Sequence, residues 1–175
     1  DDNVLRQTTA RLPWLLIGMI GGIGNSMILG NFDSTFAAHP EMALYIPLIG
    51  GTGGNVGTQS SAIVVQGLAN SSLDAKNTFK QVTKEAVVAL INATIISLLV
   101  YTYNFIRFGA TATVTYSVSI SLFAVVMFAS IFGTLVPMTL EKLKIDPAIA
   151  TGPFIAITND IIGMMLYMGI TVLLS

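Results

Sequence analysis

The sequence predicts an all-α membrane protein with five transmembrane helices in a chain of 175 residues. Hydrophobic residues make up 53% of the chain and charged residues only 10%, whereas a soluble domain carries about 25% charged residues. Asp, Glu, Lys and Arg are absent from 12–32, 42–73, 86–106 and 108–140, and about 20 apolar residues suffice to cross the hydrocarbon core of a bilayer. We therefore expect residues 1–175 to form a single transmembrane domain in the cell (plasma or inner) membrane, with the lipid bilayer as its surroundings.

The predicted spans cover about 12–31, 41–68, 86–108, 116–140 and 148–174. Trp14 lies near the start of the first span, where amphipathic rings favour the membrane interface. The second span is rich in glycine and contains Pro47, and the fifth contains Gly152 and Pro153 near its start. The third and fourth spans are rich in Val, Ile, Leu and Phe and are typical of ordinary helices.

The basic residues predict the orientation of the helices. All Lys and Arg residues except Arg107 precede the first span or lie between the second and third or the fourth and fifth spans. The positive-inside rule therefore places the N-terminus in the cytoplasm and the C-terminus outside. Lys76, Lys80 and Lys84 would share one helix face, which fits contact with lipid headgroups or docking of a cytoplasmic regulatory partner.

Two compositional features exclude classes of function. The formal net charge of −1 gives no electrostatic basis for binding nucleic acid. The chain contains no cysteine, so disulfides, thiolate metal sites and thiol nucleophiles are excluded.

Glycine occupies five of the eight positions from 50 to 57. Such a run fits close helix packing, but each glycine also weakens a helix by about 0.8–1.0 kcal/mol relative to Ala. The density of glycine, together with Pro47, favours a broken second helix that lines a wet cavity. Asn55, Thr58 and Gln59 add oxygen atoms, which are the ligands that suit Mg²⁺, Ca²⁺ and Mn²⁺.

Asp160 is the single charged residue in the last predicted span. A charged side chain at the bilayer centre costs roughly 2.5–3.5 kcal/mol, so such residues usually face a partner, a cavity or an ion path. No Lys or Arg lies at a comparable depth, and Gly152 with Pro153 predicts a break in the fifth helix. Asp146 precedes Pro147, which fits either a helix N-cap or an acidic group at the cytoplasmic mouth of a pore. These features together predict a cation pathway.

Two motifs resemble the MgtE magnesium channels and their solute-carrier relatives in animals. The first is Pro47 with the run Gly-Gly-Thr-Gly-Gly-Asn-Val-Gly-Thr-Gln-Ser that starts at Gly50, and the second runs from Asp146-Pro147-Ala148 to Asn159-Asp160. The resemblance extends in order over the whole chain. It implies a homodimer with a cation path near the subunit interface, lined by the second and fifth spans.

By position in these motifs, Asp160 matches the central pore aspartate of the family. Asn55 and the glycine backbone match the lining from the second span, and Asp146 matches an acidic residue near the cytoplasmic end. Family members usually carry cytoplasmic regulatory domains, which are missing from this chain, and Gly152 stands where some members have Asn.

The resulting expectation is passive conduction of hydrated Mg²⁺ with Asp160 as the central site. Water around the ion is expected to donate hydrogen bonds to the side chains of Asn55 and Thr58 and to the main-chain carbonyls of Gly51, Gly54 and Ala156. The same oxygen ligands also suit Mn²⁺, Co²⁺ or Ca²⁺.

Alternatives are a secondary carrier coupled to Na⁺ or H⁺ and a module that only assembles with partners. No enzyme is expected, because an intramembrane aspartyl protease needs two acids at one depth and Asp146 is predicted near the surface.

Overall fold

The computed structural model describes residues 2–175, and it contains helices and turns but no strand over that range. The helices are α1 (Asp2–Gly30), α2 (Asp33–Ala38), α3 (Ile46–Ala69), α4 (Thr78–Phe108), α5 (Thr113–Lys142) and α6 (Pro153–Leu174). Short 3-10 turns precede three of them, at Pro40–Tyr45 before α3, Ala75–Asn77 before α4 and Pro147–Ala150 before α6. The all-α fold class predicted from composition is thereby confirmed.

Four stretches of the described chain are long and apolar enough to cross a membrane. They are Asn3–Gly30, Ala75–Phe108, Thr113–Lys142 and Pro153–Leu174. The remaining long helix, α3, is less apolar because it contains Gly, Thr, Asn, Gln and Ser residues. It lies against α5 and α6. Five membrane crossings, and the orientation of the helices, stay predictions.

The predicted break of the second helix is wrong, because α3 is helical without interruption from Ile46 to Ala69. Pro47 lies in its first turn, where the missing N–H is not needed. Packing against α5 and α6 outweighs the low helix propensity of glycine. A Cβ atom at Gly53 would lie 2.8 Å from Val125 Cγ1 on α5, so the glycines permit close helix contact, which is the alternative that the sequence had left open.

The predicted break in the fifth span is present, at its beginning. The 3-10 turn Pro147–Ala150 is followed by Gly152, whose φ is +81° and ψ −133°, and α6 begins at Pro153. The continuous helix therefore starts at residue 153 rather than at 148. Pro153 suits this position because the first helical residue needs no N–H partner.

Helix α5 lies at the centre of the bundle. It packs against α3, α4 and α6, whereas the main contact of α1 is with α6. Val114, Val118, Leu122 and Val125 recur at helical spacing along α5 and are fully buried or nearly so. In the most apolar stretch of α5, 56% of the residues are buried, whereas none are buried in the corresponding stretch of α1. The core thus forms around α5, and α1 lies at the edge.

Candidate functional site

A groove of about 800 Å³ runs between α3 and α6. Its lining residues on α3 form three adjacent pairs and a single residue that recur every four positions, so they share one face of that helix. The two residues from α6 are one turn apart. The lining consists of Gly50, Gly51, Gly54, Asn55, Thr58, Gln59, Ala62, Ala156 and Asp160.

Asp160 carries the only formal charge among the residues that line the groove. Its side chain is half-buried, and its Oδ1 lies so close to Gly50 that a Cβ atom at that position would be 2.5 Å away. The hydrogen bonds that α6 residues form through side chains in the described part of the chain do not include the carboxylate. Its oxygen lone pairs are therefore available to a ligand or to water in the groove.

Six of the seven residues predicted as a metal site line this groove. Asp160 and Ala156 come from α6, and the others come from α3, namely Asn55, Gly51, Gly54 and Thr58. The main-chain carbonyls expected to be free at Gly51 and Gly54 lie within the continuous α3 helix. These carbonyls already accept helical hydrogen bonds, so the groove offers mainly side-chain oxygens.

Asp146 is not among the residues that line the groove. Its Oδ1 accepts a hydrogen bond from the backbone N–H of Ala148 at 3.0 Å, and it thereby caps the turn Pro147–Ala150. The capping role suggested by the Asp-Pro sequence is present in the structure. A role at the mouth of a pore stays a prediction.

Gln59, which the sequence predicted as a further source of oxygen atoms, also lines the groove, together with Gly50 and Ala62, which were not predicted. Gln59 follows Asn55 by four positions and so lies one turn along the same helix face. Gly50 and Ala62 offer no side-chain ligand atoms. Their place in the groove follows from the unbroken helix, which the glycine composition argued against.

Asn159, next to Asp160, lies behind the groove rather than in it. Its side chain is 1% exposed, and neither atom of its amide has a partner in the described residues. It faces Gly57 of α3, where a Cβ atom would overlap its amide nitrogen. The sequence shows an amide side chain inside an apolar segment. Only the contact with Gly57 shows which way this side chain points.

The donor set fits a hydrated cation better than a dehydrated one. Within residues 2–175, no three His, Cys, Asp or Glu side chains converge in a way that could hold a metal ion. Mg²⁺ gives up water reluctantly and usually contacts only one or two carboxylates while it keeps several waters. One carboxylate among amide and hydroxyl oxygens can accept hydrogen bonds from such a hydration shell.

Comparison with known proteins identifies a family and several relatives of this chain. Residues 46–170 match the MgtE family, which is described as "Divalent cation transporter". The Magnesium transporter MgtE of Bacillus subtilis is 33% identical over 160 residues, which are 91% of this chain and 35% of that protein. The protein of the same name from Thermus thermophilus is 32% identical over 165 residues, which are 94% of this chain and 36% of that protein.

A third Magnesium transporter MgtE, from Enterococcus faecalis, is 28% identical over 170 residues, which are 97% of this chain and 37% of that protein. The chain thus spans 35–37% of the length of these curated relatives.

The family match includes both helices that line the groove, since it begins with the first residue of α3 and ends within the last turns of α6. It also includes the two motifs on which the resemblance was based. A family of transporters confirms the expectation that the chain is not an enzyme. Because the family model matches residues 46–170 and includes both motifs, the chain belongs to the MgtE family of divalent cation transporters.

Proposed function

We propose that the chain conducts hydrated Mg²⁺ passively across the membrane, along the groove between α3 and α6, with Asp160 as the central binding site. The observation that carries the proposal is a single carboxylate, without an internal hydrogen-bond donor, in a groove lined otherwise by small and neutral polar residues. Three relatives named as magnesium transporters support Mg²⁺ as the substrate.

The volume of the groove suits an ion that keeps its water. Mg²⁺ is octahedral, and six water molecules at about 30 Å³ each occupy roughly 180 Å³. The groove offers about 800 Å³ in one chain. Asn55, Thr58 and Gln59 lie on the α3 wall, where their oxygens can accept hydrogen bonds from the water of an ion near Asp160.

The proposal includes a homodimer in which a second copy closes the groove and brings two Asp160 carboxylates toward one axis. Two such charges about 6 Å apart repel by roughly 3 kcal/mol at an effective dielectric near 20. A divalent cation between them converts this repulsion into attraction. An empty pore would therefore favour occupation by a divalent cation, and hydration of that cation would limit how tightly it is held.

The driving force needs no chemical coupling. A divalent ion that crosses 100 mV gains about 4.6 kcal/mol, twice the value for a single charge. With the N-terminus in the cytoplasm and the protein in the cell membrane, as we propose, a potential that is negative inside drives Mg²⁺ inward. Regulation by cytoplasmic domains, if present in the whole protein, would act on this pathway.

The test is Mg²⁺ flux into liposomes that contain the purified chain, driven by a membrane potential without a sodium or pH gradient. We expect Asp160→Ala and Asp160→Asn to lower the flux to the level of empty liposomes, because the groove then lacks its only charge. Asn55→Ala should reduce the flux less. Lys80→Ala, at an exposed position of α4, is the control and should conduct like the parent.

Full flux through Asp160→Ala would refute Asp160 as the central site. Flux in the parent only when a sodium or pH gradient is applied would instead indicate a coupled carrier.

A further inference from the structure

We infer that Gly50 positions the carboxylate of Asp160 and thereby sets the affinity of the groove for a hydrated divalent cation. The inference rests on the proposed function, because it assigns a role to Gly50 only if Asp160 binds the ion. Gly50 itself has no side chain that could bind a ligand, and its role is steric.

The orientation of Asp160 depends on packing, because none of the hydrogen bonds formed through side chains of α6 residues in the described chain holds its carboxylate. On the α3 side, the carboxylate lies against Gly50. A Cβ atom built on Gly50 would lie 2.5 Å from Oδ1 and 3.7 Å from Cγ of Asp160. The carboxylate thus occupies the volume that any other residue at position 50 would fill.

Substitution of Gly50 would move the carboxylate rather than the helix. Ile49, the preceding residue, is 0% exposed and fixes this turn of α3 in the core. Asp160, in contrast, has its oxygen at the end of a short side chain that faces an open groove. Since Cβ contacts under 3.0 Å essentially do not occur, Oδ1 would have to shift by 0.5 Å or more, away from α3.

A shift of this size matters for an ion that is bound through water. Hydrogen bonds to an oxygen acceptor are optimal over only a few tenths of an ångström, and they weaken at longer distances. In the structure, Asp160 and the polar side chains Asn55 and Thr58 line the same groove from opposite helices. If the carboxylate moved away from α3, the water molecules around one ion could no longer form optimal hydrogen bonds with Asp160 and with Asn55 and Thr58 at the same time.

The effect of Gly50→Ala on helix stability is expected to be favourable, whereas its effect on ion affinity is expected to be unfavourable, so the two effects can be separated. Within a helix, replacement of Gly by Ala is intrinsically favourable by about 0.8–1.0 kcal/mol. Loss of ion affinity in Gly50→Ala would therefore not result from a weaker α3. Gly169→Ala is a matched control on α6, because no atom lies within 4 Å of a Cβ at that position.

The experiment compares the parent, Gly50→Ala, Gly169→Ala and Asp160→Ala in the liposome assay over a range of Mg²⁺ concentrations. The two quantities read are the half-saturating concentration and the maximal flux. We expect Gly50→Ala to raise the half-saturating concentration about fivefold or more, as for one weakened hydrogen bond to a charged group. Gly169→Ala should keep the parent value.

A parental half-saturating concentration in Gly50→Ala would overturn the inference, as would a fall in maximal flux alone, which indicates fewer folded pores. Loss of flux in Asp160→Ala would leave the proposed function intact in either case. Retained flux in Asp160→Ala would refute both. If Gly50→Ala does not fold, Asp160→Glu, which moves the carboxylate by one methylene, must raise the half-saturating concentration; an unchanged value would overturn the inference.

Discussion

Gly57 and Gly133 form a close contact between the α3 and α5 backbones. A Cβ atom at Gly133 would lie 2.6 Å from the carbonyl oxygen of Gly57 and 3.2 Å from its Cα. These are backbone atoms within a helix and cannot turn away as a side chain can. The two helices would have to separate, and a separation here would also loosen the contact of Gly57 with Asn159.

We therefore predict that Gly133→Ala destabilises the fold by about 1–3 kcal/mol, the usual cost of overpacking. Denaturant unfolding in detergent, followed by circular dichroism, measures this change. Gly24→Ala on α1 is the control, because a Cβ there meets no atom within 4 Å. Equal stability of the two variants would show that α3 and α5 can separate at little cost.

Asn159 illustrates which details of a site can be predicted from the sequence and which cannot. Its position beside Asp160 is evident from the sequence, and a polar residue in an apolar span already suggests a role. Its burial depends on the close approach of Gly57 to its amide, and such a contact between α3 and α6 has no local signal.

At the scale of the element, the conformation of α3 differs from the one that helix propensity predicted. Summing the weak helix propensities of its glycines predicts a break, and the helix is nonetheless continuous. Propensity describes an isolated helix, whereas Ile49, Gly53 and Gly57 are buried against neighbouring helices. Because the unwound state would forfeit these contacts, tertiary packing determines the outcome. The sequence could identify the lining but not its backbone conformation.

Gly152, like Gly109, has a backbone conformation that an L-residue cannot easily adopt. Its φ of +81° and ψ of −133° lie outside the regions open to residues with a Cβ. We predict that Gly152→Ala costs about 1–3 kcal/mol through backbone strain, measured by thermal unfolding in detergent.

Gly169→Ala lies on the same helix without steric hindrance and should leave the midpoint unchanged or raise it. A midpoint for Gly152→Ala equal to that of the parent would mean that the turn before α6 can rearrange freely.

At the scale of the whole molecule, charge and apolarity predicted where the long helices end better than where they begin. Residue 108 was expected as the end of the third span, and α4 does end at Phe108. Its beginning was misplaced by eight residues, at 86 instead of Thr78, because Lys80 and Lys84 extend the helix beyond its apolar part. Hydropathy locates membrane segments, but it does not show whether a helix continues beyond the membrane into water.

The proposed dimer can be tested on a background without native cysteines. Ala62 lines the groove and is exposed, so Ala62→Cys should form covalent dimers with a short bifunctional thiol reagent in membranes. Leu99→Cys is the control, at an α4 position that is 67% exposed and outside the groove. Cross-linking of Leu99→Cys in preference to Ala62→Cys would place the subunit interface elsewhere.

The peripheral position of α1 has a consequence for biosynthesis. Its principal neighbour within the chain is α6, and the two meet where Gly21 faces Ile157. This neighbour begins about 120 residues after α1 ends, which at 5–20 residues per second means on the order of ten seconds of translation. α1 is apolar enough to lie in a bilayer without that neighbour during this interval. The contact between α1 and α6 therefore forms only after α6 has left the ribosome.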